Sequence, residues 1–446
     1  NEHNEPNVRA TVKKIYDGMV VKSQNRWPSL KRDFGSINNL LSPIFSAGFY
    51  YKTFMGPKGF WKNVYEPLIR KSAGLGKPPK NFKSKSIHLH HNVDFLIVGG
   101  GLAGLMAAKK LAGTDHDVLM IEKDNNLGGI LRNSKKINKI DGQKPQDWIE
   151  KTEWLLNNSK NIKILKNSTV TTYNYINHLI AIEDKSVGSP PNNKNPELVL
   201  HKIRTKHTIL ANGHIERFLS FRNNDLPGVM LAASFEKYIH RYGVVADTSP
   251  VIFTNNSSTF SLIQTLIKKN HIPRAYVDVR EIKKIEKETL DLIKNYKIPF
   301  YPNSEIEGCE GKNEINRVNI RTRKDKIVKL KTSMLCVSGG LNPDIHLFTQ
   351  SRGLVKWDEK LLTFKPEKSF QATTTIGSTS GNYNFKKLAD EINKKLSFIK
   401  NSNNIKLDLE ISGPKNFNIK EIWETKNLKK SLWSKSFIDL QNDVTT

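Results

Sequence analysis

The sequence predicts an α/β chain with two Rossmann-like dinucleotide-binding units of the FAD/NAD(P)-binding type, preceded by an irregular, aromatic-rich segment. Three observations carry this. Residues 93–122 read as strand, glycine turn, helix and second strand, and residues 250–280 repeat that layout without the glycines. The chain has 446 residues, 37% of them hydrophobic, enough for two or three ordinary cores. The expected divisions are a connecting or docking segment at 1–90, a dinucleotide-binding domain at 91–250, and an inserted second unit at 251–330. The first domain then returns at 331–395, and a linker follows at 396–446.

Residues 1–90 show no clear period but carry Trp27, Phe34, Phe45, Phe49, Tyr50, Phe54, Phe60 and Trp61, a composition suited to wrapping over another surface. Gly74–Pro79 and then Lys83–His91 read as linker. A phosphate-loop reading of Gly76-Lys77 fails, because proline follows and no strand precedes. The first unit opens with the apolar strand Phe95–Val98. Gly99 permits the tight turn, Gly101 lets a pyrophosphate reach the backbone, and Gly104 lets the helix lie close on the sheet. The helix start offers free N–H groups and a positive dipole end to phosphate. Strand Val118–Ile121 ends on Glu122, 18 residues past Gly104. A carboxylate there accepts a ribose hydroxyl and repels a 2′-phosphate, which favours NAD or FAD over NADP.

Next come Leu127-Gly128-Gly129, a helix at 147–156 beginning near Pro145, strands at 162–165 and 168–175, a hairpin at His178, and a charged excursion through Ser189-Pro190-Pro191. Strand Lys206–Leu210 meets Ala211-Asn212-Gly213, small residues that allow a turn beneath a dinucleotide. The second unit is strand Val251–Thr254, helix 258–269 and strand Ala275–Val279, with Asn255, Asn256 and Ser257 where glycines would be needed. It reads as a structural module without its own nucleotide. Arg280–Lys297 reads as an amphipathic helix with a solvated charged face. Strand Thr332–Val337, Gly339-Gly340, Gly377 and helix Asn384–Lys395 return to the first domain. The Glu216-Arg217 pair reads as structural.

The formal net charge of +28 raises a nucleic-acid role, but the lysines are dispersed among Asn, Ile and acidic residues, and no binding motif accompanies them. Cys309 and Cys336 stand far apart with no redox or metal-ligand spacing. No apolar run approaches the roughly 18 residues of a membrane span. The expectations are no nucleic acid, no membrane, no metal and a cytoplasmic protein.

Several strings carry a resemblance. Asn7–Leu30, Ile37–Trp61, Tyr65–Pro79, Gly213–Ala232 (GHIERFLSFRNNDLPGVMLA), Ser338–Gly353 (SGGLNPDIHLFTQSRG) and Ser436–Thr445 (SFIDLQNDVT) closely resemble the alpha subunit of heterotetrameric sarcosine oxidase. The chain looks like its central part, lying between a ferredoxin-like domain and an aminomethyltransferase-like domain that handles tetrahydrofolate. The resemblance implies NAD bound noncovalently here. It also implies FAD and FMN mainly on the beta subunit, gamma and delta partners, and a small amine substrate oxidised elsewhere in the complex. Sarcosine would become glycine, with hydrogen peroxide and formaldehyde or 5,10-methylenetetrahydrofolate as further products. The expected cofactor-binding set is Gly99, Gly101, Leu102, Ala103, Gly104, Glu122, Lys123, Gly128, Gly129, Val170, Gly213 and Gly377, with no catalytic residue on the chain. Leu102 and Asn212 depart from the family's proline and threonine. Related subunits of opine, proline or other amine oxidoreductases, and a self-contained FAD-dependent pyridine-nucleotide reductase, stay open as alternatives. The absent CxxC argues against the last.

Overall fold

The computed structural model describes residues 13–22, 26–29, 32–41, 56–72, 86–186, 198–414, 417–426, 435–439 and 444–445. The expected features at Phe45 to Phe54, Gly74–Pro79 and Ser189-Pro190-Pro191 lie outside those residues.

The first sheet is built from β1 (Ser86–Val98), β2 (Val118–Ile121), β3 (Ile162–Leu165), β4 (Ser168–Asn174), β5 (His178–Asp184) and β6 (Leu198–Leu210), in the order β3-β2-β1-β6-β5-β4. The first three strands and β6 are parallel, whereas β4 and β5 form an antiparallel hairpin along the other edge of β6. Helices α1 (Leu102–Leu111) and α2 (Pro145–Asn157) cover one face. Phe95, Ile97, Val118 and Met120 point toward them, while Leu96, Val98, Leu119 and Ile121 pack on the hairpin residues Tyr173, Leu179 and Ala181. This alternation explains why β1 and β2 read as continuous apolar runs: both faces are covered.

Two boundaries move. Strand β1 begins at Ser86, so Ser86–His91 is paired strand, not linker, aligned residue for residue with Leu198–Ile203. Its exposed face and histidines hide it from a hydrophobicity pattern. Strand β6 likewise begins at Leu198, ahead of Lys206.

The second sheet comprises β7 (Val229–Leu231), β8 (Val251–Thr254), β9 (Ala275–Asp278), β10 (Phe300–Pro302) and a later strand, Leu335–Ser338, in the order β10-β9-β8-Leu335–Ser338-β7, all parallel. The second unit therefore reaches from Val229 to Ser338, beyond the expected 251–330. Helices α3 (Ala232–Tyr242), α4 (Phe260–Lys268) and α5 (Lys287–Asn295) cover one face, packing Phe235, Leu262, Leu266 and Ile293 on Ile252 and Tyr276. An antiparallel meander, Glu305–Gly311, Ile315–Arg321 and Ile327–Lys331, covers the other. The chain then returns: Thr373–Thr375 pairs with the end of β6, and α6 (Leu388–Lys395) packs against α1. The expected helix from Asn384 opens with a 3₁₀ turn at Phe385–Lys387.

Arg280–Lys297 is corrected most. The helix occupies only Lys287–Asn295, and Arg280 is 2% exposed. Its guanidinium donates to Asp278 Oδ2 at 2.8 Å, Ser257 Oγ and Glu286 Oε1 at 3.2 Å, and Asn256 O at 3.1 Å. Burial works against its charge, but the bonds and charge of Asp278 more than offset that and hold it protonated. Residues 417–426 cross the same end of the sheet: Lys420 N–H donates to Asn255 O, Ser257 N–H donates to Asn418 O, and Lys420 Nζ reaches Val279 O at 2.8 Å. Asn255, Asn256 and Ser257 thus spend their polar groups inside the chain. Among the described residues no helix is long and apolar enough to cross a membrane. Cys309 and Cys336 are buried in separate cores.

Candidate dinucleotide site

Strand β1 delivers Gly99 at φ +105°, a left-handed conformation that glycine tolerates, and a Cβ there would lie 2.4 Å from Ala211 O. The turn therefore rests directly on the end of β6. A Cβ on Gly104 would stand 1.9 Å from Gly99 O, so α1 can sit on the turn only without a side chain. Gly101 differs: its Cβ would meet nothing within 4 Å, and its φ of −73° is open to any residue. The space before Gly101 is free, and α1 begins there with no side-chain cap.

A second loop joins the first. Gly128 N–H donates to Gly100 O at 2.8 Å, and a Cβ on Gly129 would fall 3.0 Å from Gly101 Cα. Glu122 closes the far end. Its Oε2 accepts Gly100 N–H at 2.5 Å and its Oε1 accepts Asp124 N–H at 2.8 Å. Burial pushes this carboxyl up, while the two N–H groups pull it down. Each oxygen keeps a lone pair for a further donor. On the opposite side Gly377 lies against Ala103, where its Cβ would come within 2.8 Å, and Glu391 of α6 ties the Gly377 loop through Gly377 N–H and Asn382. Gly213 N–H donates to Thr379 Oγ1 at 2.8 Å. Two glycine loops, a strand-end carboxylate and the return segment thus converge on one helix start, the layout that holds a pyrophosphate and a ribose.

Residues 97–146 match the model of the NAD(P)-binding Rossmann-like domain. The alpha subunit of sarcosine oxidase from Rhizobium meliloti (strain 1021) is 32% identical over 383 residues, covering 84% of this chain and 37% of that protein. The chain is a homologue of the sarcosine oxidase alpha subunits. The corresponding subunit from Corynebacterium sp. (strain U-96) is 28% identical over 66% of this chain and 31% of its own length. The chain thus spans about a third of the length of these alpha subunits. Among solved structures, L-proline dehydrogenase from P. horikoshii aligns over 67% of this chain and 53% of its own, at 21% identity and a TM-score of 0.48.

Of the set drawn from the alpha-subunit resemblance, Gly99, Gly101, Ala103, Gly104, Glu122, Gly128, Gly129 and Gly377 share this cradle, and Gly213 is tied to it through Thr379. Leu102 is 3% exposed and packs in the core, so its side chain faces away. Lys123 is exposed beyond Glu122, and Val170 packs with the hairpin on the other face of the sheet. Gly100, Thr379 and Glu391 escaped the sequence reading. Gly100 had a signal, its place between the two fingerprint glycines, whereas the others act only through the return segment.

Glu216 and Arg217 do not pair with each other. Arg217 donates to Gly339 O and Leu362 O and lies 4.3 Å from the Trp423 ring, while Glu216 Oε2 accepts Ala233 N–H at the start of α3, at 2.7 Å. Burial pushes the Glu216 carboxyl up from 4.5 to about 7. A carboxyl raised in the folded state contributes stability that is full below the unfolded pKa and lost as pH rises through the folded one. Glu216→Gln is therefore expected to remove up to about 3 kcal/mol of the stability decline between roughly pH 4.5 and 7, measured as the wild-type-minus-variant difference in urea unfolding.

Proposed function

We propose that this chain is the NAD-holding core of the alpha subunit of a cytoplasmic, heteromeric amine oxidoreductase of the sarcosine oxidase type. The observation that carries the NAD reading is the open space before Gly101, framed by the uncapped start of α1, the Gly128-Gly129 loop and the Glu122 carboxylate. Gly101 and the first turn of α1 would take the pyrophosphate, and Glu122 the adenosine ribose hydroxyls. A nicotinamide dinucleotide supplies hydride-accepting capacity wherever it is bound. In this complex the amine is oxidised on a beta-type subunit carrying FAD and FMN, gamma and delta subunits complete the assembly, and the one-carbon unit passes to tetrahydrofolate in a further domain. The products are glycine, hydrogen peroxide and formaldehyde or 5,10-methylenetetrahydrofolate. A two-nucleotide reductase fits less well, because Arg280 and residues 417–426 fill the crevice that its second nucleotide would need.

Gly101→Val tests the cofactor assignment cleanly. A Cβ at this position meets nothing within 4 Å and the backbone is allowed, so the fold should persist while the pyrophosphate is excluded. The expected result is near-stoichiometric NAD in acid extracts of the purified wild-type chain and at least a hundredfold weaker binding in the variant, with unchanged circular dichroism. A purified chain carrying flavin instead, or equal NAD retention by the variant, would overturn the assignment.

A further inference from the structure

A cavity of about 290 Å³ lies where the two units meet, and none of the cradle glycines lines it. Its walls come from the short helix Ile130–Asn133, the strand Ile137–Ile140 and the start of α2 in the first unit, and from His240 and Arg241 at the end of α3 in the second. The space far exceeds the roughly 30 Å³ that one water molecule takes in the liquid, so it has room for a small organic ligand. Four cations line it, Arg132, Lys135, Lys144 and Arg241, and no acid does. Arg241 is committed in part, its Nη1 donating to Asp124 Oδ2 at 2.6 Å. Arg132, Lys135 and Lys144 make no ion pair and no side-chain hydrogen bond among the described residues. The Glu236 carboxylate, 3.8 Å from His240, accepts from Ser261 and Thr265 and does not reach them. Burial, aided by the charges of Lys135, Lys269 and Lys268, pushes the pKa of His240 down to about 4, so its ring stays neutral among the cations.

Cations without counterions around a concave space draw a multivalent anion into it. Guanidinium forks match phosphate oxygens two at a time, and lysines add point charge. The amides beside them narrow the rest of the ligand. Asn138 Nδ2 donates to Ser412 Oγ at 2.6 Å and Gln146 Nε2 donates to Glu150 Oε1 at 2.5 Å, so each amide keeps its carbonyl oxygen as an acceptor. Acceptors next to a cluster of phosphate donors complement hydroxyl groups on the body that carries the phosphate. A bare inorganic ion would leave both oxygens, and most of the cavity, to water. We propose that this cavity is a binding site for a small phosphorylated polyol, with Arg132, Lys135, Lys144 and Arg241 on its phosphate and Asn138 and Gln146 on its hydroxyls. Arg132 belongs to the first unit and Arg241 to the second, so the bound phosphate ties the two together across their junction. The site stands apart from the cradle and does not depend on what the cradle holds.

Calorimetric titration of the purified full chain with glycerol 3-phosphate, at low ionic strength, tests this. The expected result is one site per chain, at least about tenfold weaker in the double variant Arg132→Gln, Lys135→Gln and unchanged in Gly101→Val. Neither substituted side chain bonds within the chain, so the double variant should melt with wild type when no ligand is added, and the ligand should raise the melting temperature of wild type alone. Inorganic phosphate, which lacks the hydroxyls, is expected to bind at least about threefold more weakly than the ester. Equal affinity in wild type and the double variant, or no binding to folded wild type up to about 10 mM ester, would overturn the site. Loss of binding in Gly101→Val with retention in the double variant would overturn it too, by placing the phosphate in the glycine cradle. Inorganic phosphate binding as tightly as the ester would overturn the polyol.

Discussion

Arg280→Met is expected to destabilise the chain by about 3–5 kcal/mol, the cost of leaving buried carboxylates without their countercharge. Arg280 is almost wholly enclosed, and its removal strips hydrogen bonds from Asp278, Glu286, Ser257 and Asn256 at once. Asp278 stands at the end of β9, where Glu122 stands at the end of β2 in the first unit. In the first unit that carboxylate faces a cradle; in the second a guanidinium occupies the space. The loss should appear as a lowered midpoint in urea unfolding. The double substitution Arg280→Met, Asp278→Leu should recover part of it, because no carboxylate is then left unpaired at the end of β9. An Arg280→Met chain as stable as wild type would show that the network contributes nothing.

Gly104→Ala is the second large effect, and its cause differs from that of Gly101→Val. One methyl group at residue 104 falls 1.9 Å from a backbone oxygen that no rotamer change can move, so α1 must lift away from β1. The overpacking is expected to cost about 1–3 kcal/mol. Lifting the helix also carries its N-terminal N–H groups away from where the proposed NAD would place its pyrophosphate, so on that proposal NAD binding should be lost together with stability. Gly101→Val should lose binding alone. Measuring both properties on both variants separates the glycine that fits the protein to itself from the one that fits it to a ligand.

The fingerprint was legible because its physics is local: glycines at fixed spacing between two apolar strands leave few alternatives. The two covered sheets were legible for the same reason, since Phe95–Val98 at the end of β1, and β2, β8 and β9, are short, mostly apolar runs. What stayed hidden depends on distant chain. Ser86–His91 is polar and looks like linker until Leu198–Ile203 pairs with it. Arg280 sits in a charged run that reads as solvated, and only the meeting of Asp278, Ser257 and Glu286 makes it internal. His214, Glu216 and Arg217 follow Gly213 and together suggest an acid-base group, a role that the sequence alone does not support. The unpartnered nitrogen of His214 becomes visible only once Tyr383 and the return segment enclose it.

The strand of chain at 417–426 that crosses the second sheet sets an order of events during synthesis. Ser257 bonds to Asn418, 161 residues later, and Arg280 reaches the same carbonyl across 138. At translation speeds of about 5–20 residues per second, β8 and β9 emerge from the ribosome about 7 to 30 seconds before those partners exist. Until then the polar turn at Asn255 and Ser257 must wait half-satisfied, open to water or to a chaperone. The second unit, whose turn at Asn255–Ser257 is completed by residues 417–426, is thus expected to be the last part of the molecule to become rigid.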